Sequence, residues 1–174
     1  MTAPNPAAGS PEPQGSSAVE ATSAVERRLQ DAGITLPEVP APVAAYVPAL
    51  ISGNYIYTSG QLPFVKGELP SKGKVGAEVT AETAKQLAAT CAVNALAAIK
   101  TQLGDLDRIR RVVKVVGFVA SDPGFTGQPG VINGASELLG DVLGEAGVHA
   151  RSAVGVAVLP MDSPVEVELV VEYD

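Results

Sequence analysis

The side chains that could do chemistry in this chain are few, and they stand singly inside apolar segments. Arg151 opens the stretch Ala150-Arg151-Ser152-Ala153-Val154, and Glu166 lies in the run Val165–Tyr173. Ser59-Gly60-Gln61 closes an apolar segment that begins at Asn54, and Tyr46 lies in the segment before it. A guanidinium offers an anion a planar fork of donors, and a carboxylate partly withdrawn from water can take and return a proton. Each residue also has a plainer reading. Arg151 can be a solvated strand end, and Glu166 one of three surface glutamates at period two with Glu168 and Glu172.

Most other catalytic devices are missing from the sequence. His149 is the only histidine. That excludes a multi-histidine metal site and leaves one candidate at most for a Ser-His-Asp triad. Its place just after Gly147, at the end of a helical segment, reads as a surface or capping residue. Cys91, the only cysteine, rules out an internal disulfide and any CxxC motif. It falls on an apolar helical stripe, where a thiol is an inert packing group. No GxxxxGK[ST] occurs and no GxGxxG follows a strand, so ATP and dinucleotide roles lose their usual support. The net charge of −7 argues against a surface that tracks phosphates, so no nucleic-acid partner is expected. The nearest basic group, Arg108, Arg110, Arg111 and Lys114, adjoins Asp105 and Asp107 and reads as a solvated helix–strand connection. No 18-residue apolar run occurs, so no membrane-spanning helix is expected. Residues 1–17 lack the basic and apolar regions of a secretory leader, and a reducing, cytoplasmic setting is the default.

The elements that must position these groups can be read from the pattern. The 174 residues suit one domain, with a core large enough to need no metal or disulfide. Aromatics make up 4% with no Trp, so Val, Ala, Leu and Ile must build that core. Residues 1–22 are rich in Pro, Ala, Gly and Ser and are expected to be a disordered tail. Residues 23–174 then form the single domain. Ser23-Ala24-Val25-Glu26 has the form of a capping box and opens a helix to about residue 32. Strands are expected over 43–50, 54–60, 112–120, 152–159 and 165–173, and helices over 80–103 and 131–146. The apolar run 112–120 reads as a strand covered on both faces. The order β-β-α-β-α-β-β describes an α/β (α+β) fold with two helices on one face of a mixed sheet. The other face also reads as apolar, and another copy of the chain is its simplest cover. The link Pro160-Met161-Asp162-Ser163-Pro164 predicts an antiparallel hairpin between the last two strands. Glu166 then faces about Ala157, and Arg151 lies roughly 20 Å along the strand. On that geometry both could serve one small molecule only from neighbouring subunits.

Two separated motifs carry a family resemblance. Gly53-Asn54-Tyr55-Ile56-Tyr57-Thr58-Ser59-Gly60-Gln61-Leu62-Pro63 resembles the "GN-hydrophobic-SGQ-hydrophobic-P" signature of the RidA/YjgF (reactive intermediate deaminase) family. So does Ala150-Arg151-Ser152-Ala153-Val154 with Leu159-Pro160 and Val165-Glu166-Val167-Glu168, and Tyr46 precedes Ser59 at the family's spacing. The resemblance covers about residues 41–174. It implies a chorismate-mutase-like fold and a homotrimer with a central β-barrel and ligand clefts between subunits. It also implies cofactor-free hydrolysis of an enamine or imine, such as 2-aminoacrylate, to a 2-keto acid and ammonium. In that family Arg151 would grip a substrate carboxylate and Glu166 would handle water or protons. Tyr46, Ser59, Gly60 and Asn133 would line the cleft. The chain departs from the pattern at Ala153, where a cysteine is common, and at Gly155, where a glutamate is. The segment before Tyr46 lacks the usual Gly-Pro, and the loop over 121–130 is longer. These departures bear on substrate and turnover more than on architecture. They keep open a non-catalytic carboxylate-binding or regulatory module. The acidic balance and single histidine count against an endoribonuclease.

Overall fold

The computed structural model describes residues 23–39 and 45–174. The expected tail 1–22 and the first residues of the expected strand 43–50 lie outside the described residues. In chain order the elements are α1 (Ala24–Asp31), β1 (Ala49–Ser52), β2 (Tyr55–Thr58), α2 (Ala81–Leu103), β3 (Ile109–Ala120), α3 (Gln128–Leu143), β4 (Ala150–Val156) and β5 (Val165–Tyr173). The five strands form one mixed sheet in the order β1-β2-β5-β3-β4. β1 and β2 start later than expected and are joined by Gly53-Asn54, with Gly53 at φ 61°. Glycine takes that left-handed conformation without strain.

The sequence order of elements is as expected, but the hairpin of the last two strands is not formed. β4 pairs only with β3, in parallel, and β5 runs antiparallel between β3 and β2. Burial explains the choice. Val165, Val167, Leu169 and Val171 are all at most 1% exposed, whereas every residue of β4 is half-buried or exposed. The strand with the larger apolar side takes the interior, and the Ser-, Ala- and Gly-containing β4 takes the edge. The link over 160–164 forms a 3₁₀ turn in which Met161 and Asp162 have φ 57° and 62°. That turn reverses the chain across the end of β3, so β5 lands on the far side of β3 rather than beside β4. The parallel partner β4 must be reached by a crossover, which α3 supplies.

Helices cover one sheet face only. α2 starts where Thr80 accepts from Thr83 N at 3.1 Å and stops at Gly104, φ 76°. Its expected stripe, Ala84, Leu87, Ala88, Cys91, Ala95, Ala98, Ile99 and Leu103, is buried. Ala92, Leu96 and Ala97 are buried too, because α2 packs on α3 as well as on the sheet. A Cβ at Gly134 would lie 1.9 Å from the Lys85 carbonyl oxygen, so the two helices meet this closely only where residue 134 has no side chain. Among the described residues no element covers the other sheet face, so the second cover expected for β3 does not come from them. This open face is mixed rather than apolar: by register it carries Tyr57, Val116, Phe118, Val154 and Val170 among Lys114, Ser152, Glu166 and Glu168.

One carboxylate caps α1 and ties its start to this frame. Ser23 accepts from Glu26 N at 3.3 Å, but Glu26 turns away to pair with Lys100 at 2.9 Å, so the reciprocal half of the capping box is not made. Asp107 takes its place. Its carboxylate accepts from Ala24 N at 2.8 Å, Val25 N at 2.9 Å and the Ser23 hydroxyl at 2.7 Å. Desolvation works to raise this carboxyl, but those three donors together outweigh it and hold the group below its ordinary value. Asp107→Ala should cost about 1 kcal/mol near neutral pH, as loss of a helix cap does. A carboxyl lowered on folding stabilises above its unfolded pKa of about 3.9 and ceases to do so as pH falls through the folded value. Thermal unfolding of variant and wild type should therefore converge in acid.

Candidate functional site

Arg151 lies on β4 level with Val115 of β3, so its side chain leaves the sheet on the helix-covered side, beneath α3. Asn133 and Ser136 meet it there, three residues apart and hence on one face of α3. Arg151 Nη1 donates to Asn133 Oδ1 at 2.8 Å and to Ser136 Oγ at 3.1 Å. Ser136 Oγ also lies 2.9 Å from His149 Nε2, and His149 Nδ1 lies 2.5 Å from the Gly147 carbonyl oxygen. The guanidinium is half-buried, and among the described residues no carboxylate lies within ion-pair distance of it. A cation drawn partly out of water without a counter-ion is an uncommon arrangement. Among the described residues no acceptor takes its Nε or Nη2 donors, which remain for an anion.

Glu166 belongs to a second group. It is level with Phe118 on β3 and so points to the open face. Its carboxylate lies over Gly60, where a Cβ would fall 1.6 Å from Oε1. Gln61 and Val167 bridge their backbones in both directions, at 2.9 and 3.1 Å, which holds the Ser59-Gly60 turn against β5. Ser59 in turn donates from its hydroxyl to the Val47 carbonyl at 2.6 Å and from its N–H to the Pro48 carbonyl at 2.9 Å. Those bonds moor the segment bearing Tyr46, whose side chain is 68% exposed. Burial lifts the Glu166 carboxyl above its ordinary value, and the adjacent Glu168 charge adds to the lift. Cys91 is fully buried, and burial raises its thiol well above the usual range, so it is a packing residue.

The structure therefore joins Arg151 with Asn133, and Glu166 with Gly60, Ser59 and the Tyr46 segment, but it keeps the two groups apart. Val115 and Phe118 are three residues apart on β3, and β4 and β5 flank that strand, which separates the Cα atoms of Arg151 and Glu166 by roughly 14 Å. The odd offset also puts their side chains on opposite sheet faces. The 20 Å hairpin geometry is replaced by this separation across β3. Sequence reasoning missed Ser136 and took His149 for a surface or capping residue. The available signals were the spacing of Asn133 with Ser136 and of His149 with Arg151. A cleft of about 600 Å³ between Pro37–Val39 and Gln61–Gly67 contains neither Arg151 nor Glu166. The Asn94 amide N–H groups on its wall are already given to the Leu62 and Phe64 carbonyls.

Fold and motif placement together define a member of the YjgF/chorismate mutase-like family. The chain belongs to it: residues 26–173 match the family model described as "YjgF/chorismate mutase-like, putative endoribonuclease". Among curated relatives, Protein TCP17 of Trypanosoma cruzi is 44% identical, over 90% of this chain and 98% of its own length. The 2-iminobutanoate/2-iminopropanoate deaminase of Escherichia coli K12 is 32% identical, over 79% of this chain and 94% of its own. A crystal structure of a protein of unknown function from Agrobacterium tumefaciens superposes with a TM-score of 0.83 at 51% identity, covering 87% of this chain and 93% of that one.

A methyl group at residue 60 tests the Glu166 placement. Gly60→Ala should push the carboxylate from its seat at a cost of about 1 kcal/mol. In calorimetry the melting point should fall modestly. In a crystal structure of the variant, Glu166 should adopt a different rotamer.

Proposed function

We propose that this protein hydrolyses small 2-imino or 2-enamino carboxylates to 2-keto acids and ammonium, at clefts shared by the subunits of a homotrimer. The observation that carries this reading is the half-buried Arg151 guanidinium, held by neutral acceptors and without a carboxylate partner among the described residues. Its remaining Nε and Nη2 edge matches a planar carboxylate through two charge-assisted bonds. The family relation to a named imine deaminase supplies the class of reaction. Arg108 and Arg110, part of the basic group over 108–114, are turned to Asp174 rather than presented as a phosphate track. That favours a small anion over nucleic acid.

In the proposed reaction an enamine first gains a proton at carbon and loses one from nitrogen, becoming the imine. Water then adds to the imine carbon, giving a carbinolamine. The carbinolamine hydroxyl gives up its proton and the nitrogen takes one up; the C–N bond breaks, the oxygen becomes that of the ketone, and the nitrogen leaves as ammonia, which water protonates to ammonium. No electrons are transferred, and one water is consumed. Glu166 takes the proton from water and returns it to nitrogen, which a carboxyl lifted towards the working pH does more readily. With the Ser59 N–H given to the Pro48 carbonyl, the Gly60 backbone holds the polar atoms at the reacting carbon, since glycine permits close approach. Because β3 separates Arg151 from Glu166 within one chain, the reading takes Arg151 from one protomer and Glu166 from its neighbour. The mixed open face of the sheet, with Tyr57 and Val154 exposed at 46% and 45%, is the surface that association would cover.

Pyruvate release from enzymatically generated 2-aminoacrylate is the direct assay. Arg151→Ala should lower kcat/KM by about 100-fold or more, since each lost bond to a charged group is worth about 1.5–3 kcal/mol. Activity equal to wild type would remove the carboxylate grip. Glu166→Gln should lower kcat by about 100-fold. The wild-type rate should fall on the acid side along a limb displaced upward from an ordinary glutamate, because ionised Glu166 is the base; the variant should lack that limb. Binding of 2-keto acids without turnover would favour a carboxylate-binding module instead.

A further inference from the structure

We propose that Ser136 and His149 are positioning residues that fix which edge of the Arg151 guanidinium faces the ligand. The proposal rests on Arg151 being the carboxylate grip and adds how that grip is aimed. Nη1 carries two protons, and both are committed, one to Asn133 and one to Ser136. Only the Nε–Nη2 edge is left to engage a planar anion side-on.

The direction of each bond follows from what its partner can do. The Gly147 carbonyl only accepts, so the close His149 Nδ1 carries the proton. In the neutral ring Nε2 is then an acceptor, and the Ser136 hydroxyl, 2.9 Å away, donates to it. With its proton so placed, Ser136 Oγ turns its lone pairs to the arginine. The chain runs one way, from Arg151 to Ser136 to His149 to the Gly147 carbonyl. Its far end is fixed, because a Cβ at Gly147 would lie 2.3 Å from the Leu139 carbonyl oxygen, and that turn packs directly on α3. Chains of hydrogen bonds of one sense reinforce each other, so loss of any link loosens the whole. The spacing serves the same end: Asn133 and Ser136 are one helical turn apart, and His149 and Arg151 are two residues apart on the segment that enters β4.

Calorimetric titration with a 2-keto acid, paired with steady-state kinetics, tests the arrangement. Ser136→Ala should weaken binding and raise KM about tenfold while kcat stays within about twofold, as expected for loss of one hydrogen bond to a charged group. Ser136→Thr keeps the hydroxyl and should restore binding to within about threefold of wild type. His149→Phe should match Ser136→Ala, and the double variant should be no worse than either alone, because both break one chain. His149→Gln, with an amide oxygen near the Nε2 position, should recover part of the affinity. Normal binding in Ser136→Ala, or Ser136→Thr no better than Ser136→Ala, would overturn the positioning role. If those variants bind normally while Arg151→Ala does not, the grip stands and only its aiming mechanism fails. If Arg151→Ala also binds normally, the underlying functional reading fails.

Discussion

A guanidinium drawn halfway out of water must find acceptors for its five N–H groups or an anion to share its charge. Arg151 finds two neutral acceptors on one helix and no carboxylate among the described residues. Much of the fold can be read as the means of holding that arrangement. The edge strand β4 has to lie beside β3 in parallel for α3 to sit above it. α3 has to bring Asn133 and Ser136 down onto the strand, and its close approach to α2 at Gly134 sets its height over the sheet. The short turn before β4 has to aim the Gly147 carbonyl at His149. A shift in any of these would leave the cation with fewer partners.

The same sheet that builds the arginine seat also divides the proposed site. Glu166 and Gly60 sit on the open side of β5, and Arg151 on the helix side of β4, with β3 between them. In a cyclic assembly each protomer would offer one half to the neighbour on its left and the other half to the neighbour on its right. A ring of such head-to-tail contacts closes on itself. On this view chemistry and association are one requirement, and the open sheet face carries both apolar and charged residues because it serves both. The lifted carboxyl of Glu166 follows from the same placement, since the strand that buries it also sets Glu168 beside it.

Periodicity and end signals made most of the fold legible in the sequence. The Thr80 cap and the Gly104 stop bound α2, and the alternation over Val165–Tyr173 marks β5 along its full length. The pairing of β4 was not legible. Two proline-flanked strands joined by five residues look like a hairpin, and only the contest for buried positions around β3 decides otherwise. For the candidate site, the GN…SGQ segment and the strand residues 151 and 166 could be singled out because polar side chains interrupt apolar runs. Ser136 and His149 could not, since a helical serine and a lone histidine each have a common surface role. Asp107 was likewise hidden: a carboxylate that caps a helix more than eighty residues away leaves no local mark.

Mixing two inactive variants tests the shared cleft most directly. Arg151→Ala and Glu166→Gln chains, each with a different tag, would be co-expressed and the mixed assemblies isolated. If one protomer supplies the guanidinium and its neighbour the carboxylate, every mixed trimer keeps one of its clefts intact, and about a third of wild-type turnover should return. No recovery in assemblies shown to contain both chains would contradict the account, because it would mean that the two groups act within a single chain or not together at all.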